Sequence, residues 1–198
     1  MPPTPYRHVI AAVLNGGAST RFGQDKAIFR IDGVPMIGHV IQAVAALDIE
    51  TVFVGRAMAD MPNIAAISDN GPPAGPLGAM LAVIDAFPGR DILLLPCDLP
   101  RLTPAHLKLL AAPLKAGVGA RVPVIDGIIT PIPGHYSAHA VGHFRTAAAA
   151  GGRSLRAVLD GLDLDRLLPE TLGEAGLEPA GFDDIDTPEA LAAYLELR

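Results

Sequence analysis

A single cysteine, Cys97, among 198 residues rules out an intramolecular disulfide framework and fits a reducing compartment. Positive charge is also scarce, with 15 lysines and arginines against 21 aspartates and glutamates and a formal net charge of -6. A general nucleic-acid or anionic-membrane surface needs stripes of basic side chains, so any anionic ligand must meet positive charge concentrated locally. The opening "MPPTPYRHVIAAVL" has prolines where a secretory leader would carry a basic region. Its apolar run is too short to span a bilayer. The expectation is a cytoplasmic protein with neither a nucleic-acid nor a membrane partner.

Half of the residues are hydrophobic and 18% are charged, enough apolar material for one folded domain over residues 1–198. Short apolar runs read as buried strands: "HVIAAVL" (8–14), "TVFVG" (51–55), "IAAIS" (64–68), "DILLLPCD" (91–98) and "GARVPVI" (119–125). Between them, "VPMIGHVIQAVAAL", "GPLGAMLAVIDAF" and "TPAHLKLLAAPL" read as helices, the last with Thr103 as N-cap and Pro104 in the first turn. This alternation predicts a parallel sheet covered on both faces. Further on, "DGIITPIPGHYSAHA" reads as loop and edge strand, "HAVGHFRTAAAA" and "SLRAVLDGL" as helices, and "LGEAGLEPAG" as a loop. The end, "FDDIDTPEALAAYLELR", reads as an extended acidic stretch entering a helix capped by Thr187, with Pro188 at its first position.

The stretch "LNGGASTRFGQDKA" (14–27) follows the first strand. Its glycines at 16, 17 and 23 allow backbone N–H groups to approach an anion closely. Arg21 can fork two phosphate oxygens, while Lys26 supplies a point charge. The plainer alternative is a strand-exit turn with solvated charges. Neither G-x-G-x-x-G nor G-x-x-x-x-G-K-[ST] is present, which excludes the dinucleotide fingerprint and the P-loop. Lys26 is also one of three lysines against twelve arginines, which suggests that a compact ammonium is wanted there.

The stretch resembles the signature L-x-G-G-x-S-x-R-M-G-x-D-K of the molybdenum cofactor guanylyltransferases, with Leu14, Gly16, Gly17, Ser19, Arg21, Gly23, Asp25 and Lys26 on the pattern. Asn15 stands where that family usually has alanine, and Phe22 where it has methionine. "SDNGPPAGPLGAM" is similar to the family's aspartate followed by G-P-L-x-G: Asp69, Gly75, Pro76 and Leu77 match, and Ala79 replaces a glycine. A carboxylate can accept from the N1–H and 2-amino edge of guanine; the other reading of Asp69 is an exposed aspartate in a Pro/Gly loop. "LPCDLP" resembles P-C-D-x-P and leaves Asp98 at the end of an apolar strand, where open α/β sheets place their ligands and where a hard cation finds an oxygen. Asp98 capping a turn is the alternative. Cys97 reads as a small buried residue.

Looser similarities follow in "ITPIPGHY", "GGRSL" and "DIDTPEAL", where Asp184 and Asp186 stand in place of asparagines. These two carboxylates could add to a metal or pterin site or only cap the final helix; the cap is the favoured reading for Asp186, and Asp184 is left open. Arg153 and Arg156 are candidates for an acceptor pocket by charge alone. His135, His139 and His143, four apart, offer a zinc site if helical, although Pro131, Pro133 and Gly134 argue against a helix there.

The resemblance implies a three-layer α/β/α Rossmann-like fold of the nucleotide-diphospho-sugar transferase type with a mostly parallel central sheet. It implies a nucleotidyltransferase that moves GMP from Mg²⁺-bound GTP to molybdopterin, with contacts to proteins that supply or receive the cofactor. Arg21, Lys26 and Asp98 would be catalytic. Leu14, Asn15, Gly16, Gly17, Ser19, Lys26, Asp69, Gly75, Pro76, Leu77 and Asp98 would bind nucleotide, and Asp98 would hold Mg²⁺. Cytidylyltransferases acting on the same pterin usually read L-A-A-G in the first loop and lack G-P-L in the second. Gly16 and Gly75–Leu77 therefore favour GTP, ahead of cytidylyl transfer and of a sugar-phosphate type of nucleotidyl transfer.

Overall fold

The computed structural model describes residues 5–16, 25–69 and 75–196. Along the chain lie β1 (Val9–Asn15), β2 (Arg30–Ile31), β3 (Val34–Pro35), α1 (Met36–Ala45), β4 (Glu50–Gly55), β5 (Ala65–Ile67) and α2 (Gly75–Ala86). They are followed by β6 (Asp91–Leu95), α3 (Pro104–Leu110), β7 (Ala120–Ile125), β8 (Ile128–Ile129), β9 (Gly134–Tyr136) and α4 (Val141–Ala149). The remainder forms α5 (Leu155–Leu159), β10 (Leu164–Leu167), α6 (Pro169–Glu174) and α7 (Pro188–Glu196). The five apolar runs all form strands, and the segments with helical spacing form helices.

The main sheet has the order β5-β4-β1-β6-β9-β7-β10, with β8 attached to β7. Pairs β5–β4, β4–β1, β1–β6 and β7–β10 are parallel. The two-residue side-chain period of β1 explains its double burial. Val9, Ala11 and Val13 face a core shared with α1 and α3, while Ile10 and Ala12 face one shared with α2, α4 and α5. Helices thus cover both faces, giving the α/β/α layering. Among the described residues, no helix is long and apolar enough to cross a membrane.

The second half departs from the sequence reading in two places. β9 is not an edge strand: it lies between β6 and β7, antiparallel to both, with every residue buried. Its three residues are too few to show a period, and buried His135 lowers the apolar signal that would have marked an interior strand. "LGEAGLEPAG" is not a loop throughout: its first residues finish α6, and Pro179–Phe182 forms a 3-10 turn. Leu172 and Phe182 are the reason, since both are buried in the core beside α1 and α3.

Arg121 links three of these elements. Its Nη1 donates to the carbonyls of Ala112 at 2.5 Å and Leu109 at 3.2 Å, closing the end of α3, while Nε and Nη2 donate to Asp165 Oδ2 of β10 at 2.9 and 2.7 Å. Arg121→Met keeps the apolar stem and strands those acceptors, so it should lower unfolding free energy by about 2–3 kcal/mol. Urea denaturation would show this; a loss below about 0.5 kcal/mol would mean that water replaces the guanidinium without penalty.

Candidate active site

The chains leaving β1 and β6 emerge side by side, because Val13 lies opposite Leu95. On the other side of β1 the exit is clasped to that of β4: the Arg56 amide donates to the Asn15 carbonyl at 2.9 Å, and Asn15 Nδ2 donates to the Arg56 carbonyl at 2.7 Å. Together these ends line a cavity of about 260 Å³ with Leu14, Asn15, Gly16, Asp25, Lys26, Arg56, Cys97 and Asp98 on its walls. A point where neighbouring connections leave the sheet in opposite directions is where open α/β sheets bind ligands.

Asp25 aims the basic residue beside it. Its carboxylate accepts from the Ala27 amide at 3.2 Å, capping the turn at Lys26–Ile28, and from Arg56 Nη2 at 2.5 Å. An exposed ion pair of this kind adds little stability, but it ties the end of the glycine-rich loop to β4. Lys26, held on that turn, points at Asp98: Nζ lies 3.2 Å from Asp98 Oδ2 and also donates to Asp186 Oδ1.

Asp184 and Asp186 reach the same place from the far end of the chain. The Ile185 amide donates to the Asp98 carbonyl at 3.1 Å, and the Ile185 side chain is buried with Ile31, Met36 and Tyr194. In an extended segment, turning Ile185 inward sends its two neighbours to the other side. One oxygen each from Asp98, Asp184 and Asp186 then lie within 4.8 Å of one another. The segment is braced by His106, whose ring meets the Glu178 carbonyl at 3.0 Å and the edge of Phe182, and by Arg101 stacked 4.9 Å above the Tyr194 ring of α7. Asp186 is therefore not the cap of α7. That role belongs to Thr187, whose hydroxyl accepts from the Ala190 amide at 3.1 Å.

Burial pushes the Asp98 carboxyl up to about 6 against the pull of Lys26, and Asp184 and Asp186 push in the same direction. Burial likewise raises Asp184, helped by Asp186. For Lys26, burial works against the ammonium, yet the bonds and charges of Asp186 and Asp98 outweigh it and hold its pKa above the ordinary value. Among the described residues, Asp98 Oδ1 is buried without a hydrogen-bond partner. Within the same residues, three carboxylates facing one ammonium leave a formal excess of two negative charges, and the donors are hard oxygens. The set fits a divalent cation.

Leu14, Asn15, Gly16, Lys26 and Asp98 are thus brought together, whereas Gly17, Ser19 and Arg21 lie outside the described residues. Asp69 is exposed past β5 and Gly75 opens α2; neither lines the cavity. Pro76 is exposed on the first turn of α2, and the Leu77 side chain is packed in the core, which leaves only its backbone for a ligand. Burial pushes the Cys97 thiol up to about 12, with Asp98 adding to the effect, so it stays protonated and unreactive. His135 is fully buried in β9, whereas His139, in a 3-10 turn, and His143, in α4, line a cavity together; among the described residues the three form no metal-holding group. Among the described residues, Asp98, Asp184 and Asp186 are the one set of three histidine, cysteine or acidic side chains close enough together to hold a metal ion. Arg156 donates to the Ile129 carbonyl at 2.9 Å and lines a separate cavity beside α5. Asp25 and Arg56 are members of the site to which sequence reasoning assigned no role, and Asp184 and Asp186 are members for which it left a cap and a ligand as alternatives.

A mostly parallel sheet covered by helices, with a lysine and three carboxylates at the carboxyl ends of β1 and β6, defines an α/β protein whose site fits a divalent cation and an anionic ligand. Residues 11–167 match the MobA-like NTP transferase domain, and the chain belongs to that family of nucleotidyltransferases. It is 31% identical over 180 residues to a molybdenum cofactor guanylyltransferase of Xanthomonas euvesicatoria pv. vesicatoria, with 89% of each chain covered. Its fold is similar to the solved structure of molybdopterin-guanine dinucleotide biosynthesis protein A from Archaeoglobus fulgidus, with TM-score 0.80, 25% identity and coverage of 95% and 97% of the two chains. The 2-C-methyl-D-erythritol 4-phosphate cytidylyltransferase of Thermus thermophilus shares the fold alone, at TM-score 0.66 and 13% identity over 94% of this chain and 97% of that one.

Proposed function

We propose that this chain transfers GMP from Mg²⁺-bound GTP to the terminal phosphate of molybdopterin and releases pyrophosphate. The observation that carries this reading is the convergence of Lys26 with Asp98, Asp184 and Asp186 at the exit of β1. An acceptor phosphate oxygen attacks the α-phosphorus in line; the new O–P bond forms as the bond to the bridging oxygen of the β-phosphate breaks, and both electrons leave with pyrophosphate. The acceptor is already ionised, so no general base is needed. The task left to the protein is to align the reacting oxygens and to offset negative charge.

Mg²⁺, when bound, would supply positive charge to offset that of the phosphates. Asp98 would hold it with Asp184 and Asp186. Arg21, assigned from the loop signature, and Lys26 would contact the triphosphate and stabilise the departing pyrophosphate. Asp69 would accept from the guanine edge, with Gly75 to Leu77 shaping that side of the nucleotide site. Proteins that supply molybdopterin or take up its guanine dinucleotide are the partners this reading entails.

Calorimetric titration with GTP, CTP and ATP, each with Mg²⁺, tests the proposal. GTP should bind about tenfold more tightly than either rival, or better, a difference of at least ~1.4 kcal/mol. Equal or tighter binding of CTP would move the activity to cytidylyl transfer and discard Asp69 as the guanine reader. GTP binding without pyrophosphate release in the presence of molybdopterin would refute the transferase reading.

A further inference from the structure

Lys26 does not point into open space beside the carboxylates. Its ammonium is placed between Asp98 and Asp186, 3.2 Å from Asp98 Oδ2 and bonded to Asp186 Oδ1, where a cation bridging those two residues would sit. The lysine side chain is only 12% exposed. One oxygen is left over: Asp98 is nine-tenths buried, and its Oδ1 has no hydrogen-bond partner among the described residues. The ammonium therefore meets one oxygen of Asp98 and leaves the other unmet. An oxygen-seeking divalent ion takes six or more ligands and would find Oδ1 and the Asp184 carboxylate still to be recruited.

We propose that Lys26 is the resting occupant of the divalent-cation position, and that it yields this position when the ion enters and turns to the polyphosphate of the nucleotide. The second half rests on the function proposed above; the first half rests only on the geometry. An ammonium is a compact point charge that can take an ion's place between two carboxylates, whereas a guanidinium spreads its charge over a planar fork. This is a physical reason for a lysine at this position in a chain that otherwise prefers arginine. By linkage, displacing the ammonium weakens ion binding in the absence of nucleotide, and a nucleotide that gives the lysine a new partner strengthens it. The lysine would thus make ion and nucleotide arrive together.

The test uses Mn²⁺ alone with the full chain, free Mn²⁺ being followed by electron paramagnetic resonance. Lys26→Met should bind Mn²⁺ about tenfold more tightly than the unaltered protein; equal or weaker binding by a variant with unchanged circular dichroism overturns the proposal. A second measurement needs no Lys26 variant. Acetylation of Lys26, read by mass spectrometry, should accelerate severalfold when Mn²⁺ is added to the unaltered protein and should not respond to Mn²⁺ in Asp98→Asn. Protection of Lys26 by Mn²⁺, or no change, overturns it equally. Because no nucleotide is present, a chain that turned out to prefer CTP would still give the expected result, so the two readings fail separately.

Discussion

Asp98→Asn is expected to lower nucleotidyl transfer by about 10²–10³-fold or more and, at pH 7.5, to make the ligand-free protein harder to unfold. Asp98 has a folded-state pKa raised to about 6, against about 3.9 for an unfolded aspartate. A raised carboxyl pKa means that ionisation costs folding free energy: nothing below the unfolded value, where both states are protonated, and the full amount above about 6, where both are ionised. Two units correspond to about 3 kcal/mol. Asparagine keeps the shape and removes the charge, and the attraction of Lys26 is already contained in the net rise, so a gain of up to about 3 kcal/mol is expected.

Urea unfolding at pH 7.5 and pH 4.5 checks this, because the stabilities of the two proteins should converge as the pH falls. A variant less stable at pH 7.5 would mean that the attraction between Lys26 and Asp98 outweighs the burial of the carboxylate. The same shift predicts that ion binding weakens as pH drops through about 6, since a protonated Asp98 loses its charge as a ligand.

The second large effect concerns a residue that touches no reactant. Gly55, the last residue of β4, has φ +112°, and a Cβ there would lie 2.7 Å from the Asn15 carbonyl oxygen and 2.9 Å from its carbon. The obstacle is the backbone of Asn15 and Gly16, so no side chain can rotate away. Gly55→Ala should cost about 2–4 kcal/mol from the left-handed conformation and the clash combined. It should also weaken GTP binding, because it pushes apart the β1 and β4 exits that position Asn15, Gly16 and Arg56. Gly89→Ala is the control: φ is +77°, nothing lies within 4 Å, and the cost should be about 1 kcal/mol with no change in nucleotide binding. Equal losses for the two substitutions would show that backbone conformation alone is at stake and that the clasp between the strands is slack.

Local pattern was enough to dictate the layers and one half of the site. Runs such as "IAAVL" and "DILLL" are apolar on both alternating faces, and that pattern is stable only when helices cover both sides, so a mostly parallel sheet followed from composition and order. Gly16 and Lys26, at the two ends of the glycine-rich stretch, and Asp98 just past β6 were singled out in the sequence because strand exits are local features, and the structure brings these three to one cavity. The other half came from long-range packing. Lys26 meets Asp98 across 72 positions and Asp186 across 160, and nothing local in "DIDTPE" separates a helix cap from a ligand. What separates them is the amide of Ile185 bonded to the Asp98 carbonyl and the Ile185 side chain buried beside Tyr194, which turn both flanking carboxylates toward the same point. Short β9 likewise became an interior strand because β6 and β7 offered it hydrogen-bonding edges on both sides. Local chemistry is written in neighbouring residues, but the sum of charges at a site depends on which distant segments the core brings together.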